Sequence, residues 1–241
     1  GDLEHDRLLL RSRMHYDEHR IALRLDQRVE AIDRARRSVH LADGSSLQYD
    51  ALVIATGSRP RRLELPGADL TGVHYLRDMR DAQRLRADLR PGAHAVVIGG
   101  GYIGLETAAT LRHLGVEVRV LELAARTMNR AVAEVVSRFY EAEHRRHGVD
   151  IELGAGITAI QGDSQGRVRA VLGADGREWR ADVVVVGVGV LPNDELARDA
   201  GLECANGILV DEFCRTADPA IYAIGDCSNH PSLHYGRRIR L

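Results

Sequence analysis

The sequence predicts an α/β protein built around a parallel sheet, and three stretches carry that prediction. Ala95-Val96-Val97-Ile98 runs without a polar break into Gly99-Gly100-Gly101. Residues 102 to 114 then keep a helical apolar pattern, and Val116 to Glu122 reads as a second strand. Ala181 to Val186 is a further continuous apolar run, as a strand shows when both its faces are covered. Strands alternating with helices in this way make parallel sheets.

In chain order, the first twenty residues are charged, with helix-compatible patches. His15 and His19 stand at i, i+4 around Glu18, but no third ligand is placed by the sequence, so a solvated helix face accounts for them better than a metal pair. His144 and His147, set among arginines, read the same way. From Ile21 the pattern changes to short alternating runs: Ile21 to Leu25, Val29 to Ile32 and Val39 to Leu41. Asp43-Gly44 predicts a hairpin turn, since both residues tolerate positive φ, with the return through Leu47 and Tyr49. The strand Ala51 to Ala55 ends at Thr56-Gly57-Ser58-Arg59-Pro60, which is either a strand end presented to a ligand or an ordinary Gly-Pro loop.

Leu65-Pro66-Gly67 punctuates the chain, Tyr75 to Leu89 is predicted as an amphipathic helix, and Pro91-Gly92 ends it. Beyond Glu122 a long helix is expected from about Ala131 to His147, capped by Gly148, and then a strand from Val149 to Leu153. Residues 157 to 181 are expected to form a small antiparallel insert turning at Asp175-Gly176. The run Ala181 to Val186 ends in Gly187-Val188-Gly189-Val190-Leu191-Pro192-Asn193, giving a doubly wound domain from about Pro60 to Leu191. Gly207 to Val210 is a short strand and Asp218-Pro219 a turn. Ile221-Tyr222-Ala223-Ile224 then enters a glycine-acid loop in which Asp226 is either a helix N-cap or a ligand for a polyol hydroxyl.

The chemistry is concentrated at the glycine turn. Gly99 lets the chain leave the strand sharply, Gly101 lets the backbone approach a pyrophosphate, and Gly104 lets the helix pack close on the sheet. An anion then meets free amides at a helix N-terminus, where the dipole favours negative charge. Glu122 ends the second strand 18 residues beyond Gly104, the place for an acid that accepts hydrogen bonds from a ribose diol. A 2′-phosphate about 5 Å from that carboxylate meets a repulsion of order 3 kcal/mol per charge, which favours NAD over NADP. Arg126 and Arg130 follow closely and are expected to offset part of it.

Composition excludes several classes. The net charge of -2 gives no sequence-independent affinity for nucleic acid or anionic membrane. Every basic residue is arginine, so this chain offers no lysine for Schiff-base chemistry. No apolar run reaches the length of a membrane span and no signal peptide is visible. Cys204, Cys214 and Cys227 are too few and too irregular for a disulfide framework or a zinc site and read as small buried or loop thiols in a reducing cytoplasm, with Cys227 nearest a functional loop.

Taken together, Ala55-Thr56-Gly57-Ser58-Arg59-Pro60, the glycine turn with Leu105-Glu106, Gly187 to Asn193 and Ala223-Ile224-Gly225-Asp226 resemble the two-dinucleotide flavoprotein reductases. Tyr75-Leu76-Arg77 with Asp81-Ala82, and Tyr235 to Leu241, look most like the FAD-dependent ferredoxin and rubredoxin reductases that serve bacterial oxygenases. The resemblance implies a Rossmann-like NAD domain with a β-meander, residues 61–191, inserted in an FAD-binding domain formed by residues 1–60 and 192–241. It implies that Ala55, Thr56 and Gly57 lie along the FAD path, that Val29 meets the flavin adenine through its backbone, that Arg77 contacts FAD and that Asp226 binds the ribityl chain. Gly99, Gly101, Gly104 and Glu122 would hold NADH, with Ile103 near the rings and Gly187, Val188 and Gly189 closing the NAD side. Glu106 is the candidate catalytic residue, a polar positioner in the first helical turn beside the ring stack. The implied partner is an iron-sulfur ferredoxin or rubredoxin that takes the electrons one at a time. A disulfide reductase, an NADH oxidase and an interaction protein resembling apoptosis-inducing factor share the fold and are the alternatives.

Two features depart from the family pattern. Its N-terminal glycine-rich βαβ unit for the FAD pyrophosphate has no counterpart before residue 21, and the lysine that pairs in relatives with the acid matching Glu106 is absent. The chain therefore reads as an internal fragment of a longer reductase, expected to bind FAD poorly by itself.

Overall fold

The computed structural model describes residues 9–240; the start of the charged N-terminal stretch and Leu241 of the terminal motif lie outside the described residues. The chain forms two compact units, one from residues up to Thr56 and from Asn193 onward, the other from Gly57–Pro192. The expected boundaries were residues 60/61 and 191/192.

The first unit begins with helix α1 (Arg13–Glu18) and strands β1 (Val29–Asp33), β2 (Ser38–Leu41), β3 (Ser46–Gln48) and β4 (Leu52–Ile54). The second contains β5 (Ser58–Pro60), β6 (Val73–Tyr75), α2 (Met79–Asp88), β7 (His94–Ile98), α3 (Tyr102–His113), β8 (Glu117–Glu122), α4 (Glu134–Arg146) and β9 (Val149–Leu153). It continues through β10 (Ile157–Gly162), β11 (Val168–Gly173), β12 (Glu178–Arg180), β13 (Val183–Val186) and β14 (Val190–Pro192). The chain returns to the first unit through α5 (Glu195–Asp199), β15 (Ile208–Leu209), β16 (Ile221–Ala223), a 3-10 turn at Gly225–Cys227, β17 (Ser228–Ser232) and β18 (Arg237–Ile239).

The second unit is organised on a five-stranded sheet in the order β6-β13-β7-β8-β9, parallel throughout. Side chains alternate across a strand, and here the alternation sorts them into two cores. Ala95, Val97, Val118, Val120, Val183 and Val185 pack with Leu85 of α2 and Leu105, Ala108 and Leu111 of α3. Val96, Ile98, Leu121, Val184 and Val186 pack instead against Ile160, Val168, Val171 and Trp179. These come from the antiparallel sheet β10-β11-β12, the expected insert, which turns at Gly176 with φ +82°. Its Trp179 is buried, and the indole N–H donates to Glu152 at 2.7 Å. The expectation of a doubly wound domain is therefore corrected: the meander covers the face that a second layer of helices would occupy, and among the described residues no helical residue enters that core.

Several boundaries moved for local reasons. Tyr75 ends a strand rather than opening a helix, because Asp78 caps α2, accepting from the Asp81 amide at 3.0 Å while Asp81 accepts from the Asp78 amide at 3.1 Å. Residues 123 to 133 form a loop, so α4 begins at Glu134, and Gly148 follows its end at φ +82°. At the Asp43-Gly44 turn only Gly44 takes positive φ; Asp43 instead accepts from the Ser45 amide and hydroxyl at 2.9 and 2.6 Å. Ile21 to Leu25 form no strand: Ile21, Leu23 and Leu25 are exposed, and alternation without a partner ladder does not make a sheet. Thr56 to Pro60 proves to be more than a loop, since β5 pairs antiparallel with β14.

In the first unit β1-β2-β3 and β15-β17-β18 are separate sheets, and β4 pairs parallel with β16. Ile32, Leu41, Ile54, Ile208, Ile221 and Cys227 share its core. His15 and His19 belong to an exposed helical turn that buries nothing, as expected, and no group of metal-ligating side chains occurs among the described residues. Among those residues no helix is long and apolar enough to cross a membrane.

Candidate functional site

Within the second unit, the carboxyl ends of β7, β8 and β13 open into a cleft of about 640 Å³. Gly99, Gly101, Ile103, Glu122, Gly187, Val188 and Gly189 line it, which brings together seven of the residues that sequence reasoning assigned to the dinucleotide.

The three motif glycines do different work. Gly99 takes φ +105°, and a Cβ there would lie 2.5 Å from the Gly187 carbonyl oxygen. The ends of β7 and β13 thus meet backbone to backbone, a contact reinforced by Gly187 N–H donating to the Ile98 carbonyl at 2.8 Å. At Gly104, on the sheet side of α3, a Cβ would lie 2.0 Å from the Gly99 oxygen, so this glycine shapes the turn without lining the cleft. Gly101 is the opposite case: a Cβ there would meet nothing within 4 Å. It is the N-cap of α3 and supplies no capping side chain, which leaves the first amides of the helix to a ligand.

Glu122 is fixed from two sides. One carboxylate oxygen accepts from the Gly100 amide at 2.6 Å and the other from the Ala124 amide at 2.7 Å. The acid therefore braces the glycine turn as well as facing the cleft. The two arginines expected to soften its charge divide. Arg126 is withdrawn from that role, its guanidinium donating to the Val132 and Asn129 carbonyls, both at 2.9 Å, and to the Ser137 hydroxyl at 2.6 Å. Arg130 lines the cleft and is exposed.

Glu106 requires a correction. It is the fifth residue of α3, and the first turn holds no acid. Its exposed carboxylate makes no hydrogen bond or ion pair among the described residues, and it does not line the cleft. The helix starts at Tyr102, where the apolar pattern placed it, but its fifth residue lies just past the first turn, so the expected first-turn placement and the idea of an acid complementing the helix dipole there both fall.

The residues assigned to the second cofactor lie as follows. In the first unit β4 and β16 run parallel with Ile54 beside Ala223, and the Ile224 amide donates to the Ile54 carbonyl at 3.0 Å. Ala55 and Thr56 thus leave one strand end beside the Gly225–Cys227 turn that leaves the other. Thr56 is held by its hydroxyl donating to the Asn193 carbonyl at 2.5 Å. Asp226 sits inside the 3-10 turn, whose N-cap is Ile224, so the capping role that its local sequence suggested is not the one it has. Val29 opens β1 with its side chain packed on the core. In the second unit Gly57, at φ +68°, lies against Arg77: a Cβ on it would come within 2.8 Å of an Arg77 guanidinium nitrogen.

Two of the cysteines are held away from solvent chemistry. Cys227 is buried with its thiol toward the Ile224 and Ile54 carbonyls at 3.3 and 3.6 Å. Burial, with Asp194 nearby, pushes the Cys204 thiol above its ordinary value. Sequence reasoning missed the other cleft walls, Leu63 and Leu65 before β6, Met128 to Ala131 before α4, and Ala155 to Ile157 after β9. Only Arg130 among them carried a signal.

Comparison with known proteins follows the same lines. The family model described as pyridine nucleotide-disulphide oxidoreductase matches residues 4–237. The ferredoxin–NAD(+) reductase component of an anthranilate 1,2-dioxygenase system from Burkholderia cepacia is 46% identical over 235 residues, 98% of this chain and 57% of that protein. Rhodocoxin reductase from Rhodococcus erythropolis is 44% identical over 231 residues, 96% of this chain and 54% of that one. Among solved structures, a covalent putidaredoxin reductase–putidaredoxin complex superposes with a TM-score of 0.95 at 42% identity, covering 100% of this chain and 59% of that one. The chain spans a little over half the length of these relatives.

Proposed function

The chain belongs to the pyridine nucleotide-disulphide oxidoreductase family, and on that premise we propose that it is the nucleotide-handling part of an FAD-dependent reductase that draws electrons from NADH and passes them to a ferredoxin or rubredoxin. The observation that carries this reading is the cleft at Gly101, where an uncapped helix N-terminus, an open glycine face and a braced acid converge. These residues fit a dinucleotide. The α3 amides receive the pyrophosphate, Glu122 accepts from the adenosine ribose, and Ile103 with Gly187, Val188 and Gly189 bounds the nicotinamide end. A braced carboxylate cannot swing aside for a 2′-phosphate, which supports NADH over NADPH as donor.

For FAD the fitting observation, in the first unit, is the paired strand ends that release Ala55, Thr56 and Asp226. Ligands of open α/β folds bind at such carboxyl strand ends. Val29 and Asp226 would hold adenine and ribityl chain. When bound, FAD supplies the conversion of two-electron hydride chemistry into single-electron delivery. Each unit's own residues orient the cofactor it holds, and Glu106 offers an exposed carboxylate one turn beyond the cleft wall. The named relatives are reductases of ferredoxin type, one of them captured with its putidaredoxin, which supports an iron-sulfur acceptor.

The test is anaerobic reduction of a ferredoxin or rubredoxin by NADH in the presence of the full-length, FAD-loaded protein. Catalytic reduction of the acceptor is expected. Tight NADH binding with no turnover of any acceptor would overturn the reductase reading and point to an interaction protein.

A further inference from the structure

We propose that Ser137 and Glu141 of α4 are positioning residues for dinucleotide affinity, acting through the loop 124–132 that walls the cleft; this rests on the reading of the cleft as the NADH site. The loop contributes Ala124, Met128, Asn129, Arg130 and Ala131 to the wall, next to Glu122 and so on the adenosine side. Neither Ser137 nor Glu141 lines the cleft. Both are buried one helical turn apart, and the polar anchorage of the loop runs to them.

Ser137 Oγ donates to the Thr127 carbonyl at 2.7 Å and accepts from Arg126 at 2.6 Å. The Glu141 carboxylate accepts from the Thr127 amide at 2.9 Å and from its hydroxyl at 3.3 Å. Arg126 then closes the loop by binding the carbonyls of Asn129 and Val132. A glutamate that is only 2% exposed has a strong demand for such donors. Arg138 and Arg145 stand no closer than 3.9 Å on its other oxygen.

The anchorage holds a conformation that the loop would not keep alone. Met128 is buried at φ +47°, a left-handed conformation unfavourable for a methionine, and its amide donates to the Gly100 carbonyl at 2.9 Å. The latch thus runs from α4 through Thr127 and Met128 to the glycine turn itself. A wall ordered before the ligand arrives spares binding the entropy of ordering it.

The experiment uses the full-length, FAD-loaded protein and two reduced donors: NADH, and reduced nicotinamide mononucleotide, which lacks the adenosine half. Ser137→Ala deletes two hydrogen bonds of the latch and should weaken NADH binding about ten-fold. The rate of flavin reduction at saturating NADH and the affinity for the mononucleotide should stay unchanged. Glu141→Gln keeps an acceptor for the Thr127 amide and should bind NADH within about three-fold of wild type. Equal loss for both donors, or no loss for NADH in Ser137→Ala, would overturn the latch while leaving the site reading intact. Failure of the wild type to bind NADH would overturn the site reading, and the latch with it.

Discussion

Two glycines three residues apart should fail in opposite ways when each receives one methyl group. In Gly104→Ala the new Cβ must find room 2.0 Å from the backbone oxygen of Gly99, where nothing flexible can move aside. Helix α3 has to lift, and with it Leu105, Ala108 and Leu111, all in the core against the parallel sheet. Overpacking of this kind costs roughly 1–3 kcal/mol, and the gain of about 1 kcal/mol in helix propensity offsets only part of it. At roughly 2–4 °C per kcal/mol, the thermal midpoint should fall by several degrees. In Gly101→Ala the Cβ meets nothing within 4 Å among the described residues, and the backbone at φ -80° suits alanine. Stability should drop by less than about 1 kcal/mol, the difference between the two residues at an N-cap. The methyl group instead occupies the place where a pyrophosphate approaches. Losing one charge-assisted hydrogen bond of about 1.5–3 kcal/mol weakens NADH binding roughly 10- to 100-fold. Thermal melts and NADH titrations of both variants in the full-length protein provide the comparison. Wild-type affinity in Gly101→Ala, or an unchanged midpoint in Gly104→Ala, would refute this division of roles.

Three further outcomes are expected. Glu106→Gln should leave stability within about 0.5 kcal/mol of wild type, because the side chain is exposed and unpaired among the described residues. It should also slow flavin reduction at saturating NADH by on the order of ten-fold if the acid acts on the rings; an unchanged rate removes that role. Glu122→Ala should shrink the preference for NADH over NADPH by roughly 10- to 100-fold, as removal of a charge opposing a 2′-phosphate requires; titration with both donors measures it. Asp88, at the end of α2, accepts from Arg167 and pairs with His74, each at 2.9 Å. Burial opposes its ionisation, but Arg167 and then His74 outweigh that and hold the carboxyl below its ordinary value. With a depressed folded value, its stabilisation is present above the unfolded value near about 3.9 and is lost as pH falls through the folded one. Asp88→Asn should therefore lower stability at neutral pH by roughly 1–3 kcal/mol and flatten the acid limb of a denaturation profile; a profile parallel to wild type refutes the assignment.

What could be read from the sequence was whatever local chemistry decides. Gly99, Gly101 and Gly104 announced a turn because each position demands a residue without a side chain, and Val183–Val186 announced a strand buried on both faces. Gly44 and Gly176 announced their hairpins through turn geometry. Tertiary choices were less legible. Ile21 to Leu25 alternates like a strand but found no ladder. Which layer covers the second face of the sheet depends on Ile160, Val171 and Trp179 docking on Val96 and Val184, and nothing in the local pattern of those strands excludes helices there. The pairing of β5 with β14 joins segments more than a hundred residues apart, and no local signal reports it. The same holds for Arg126, which reads as a cleft cation until the carbonyls of Asn129 and Val132 are seen to claim it. Glu106 falls just past the first turn although α3 starts at Tyr102, where the apolar pattern placed it, because a fifth helical residue already lies beyond one turn of about 3.6 residues.

The most direct test of the account is anaerobic stopped-flow mixing of the full-length, FAD-loaded protein with NADH and, in parallel, with NADPH. Fast loss of flavin absorbance with NADH, much slower loss with NADPH and rapid recovery on adding oxidised ferredoxin are predicted. Equal rates with the two donors would contradict the role given to Glu122, and no loss of absorbance with either would contradict the assignment of the cleft as the entry point for electrons.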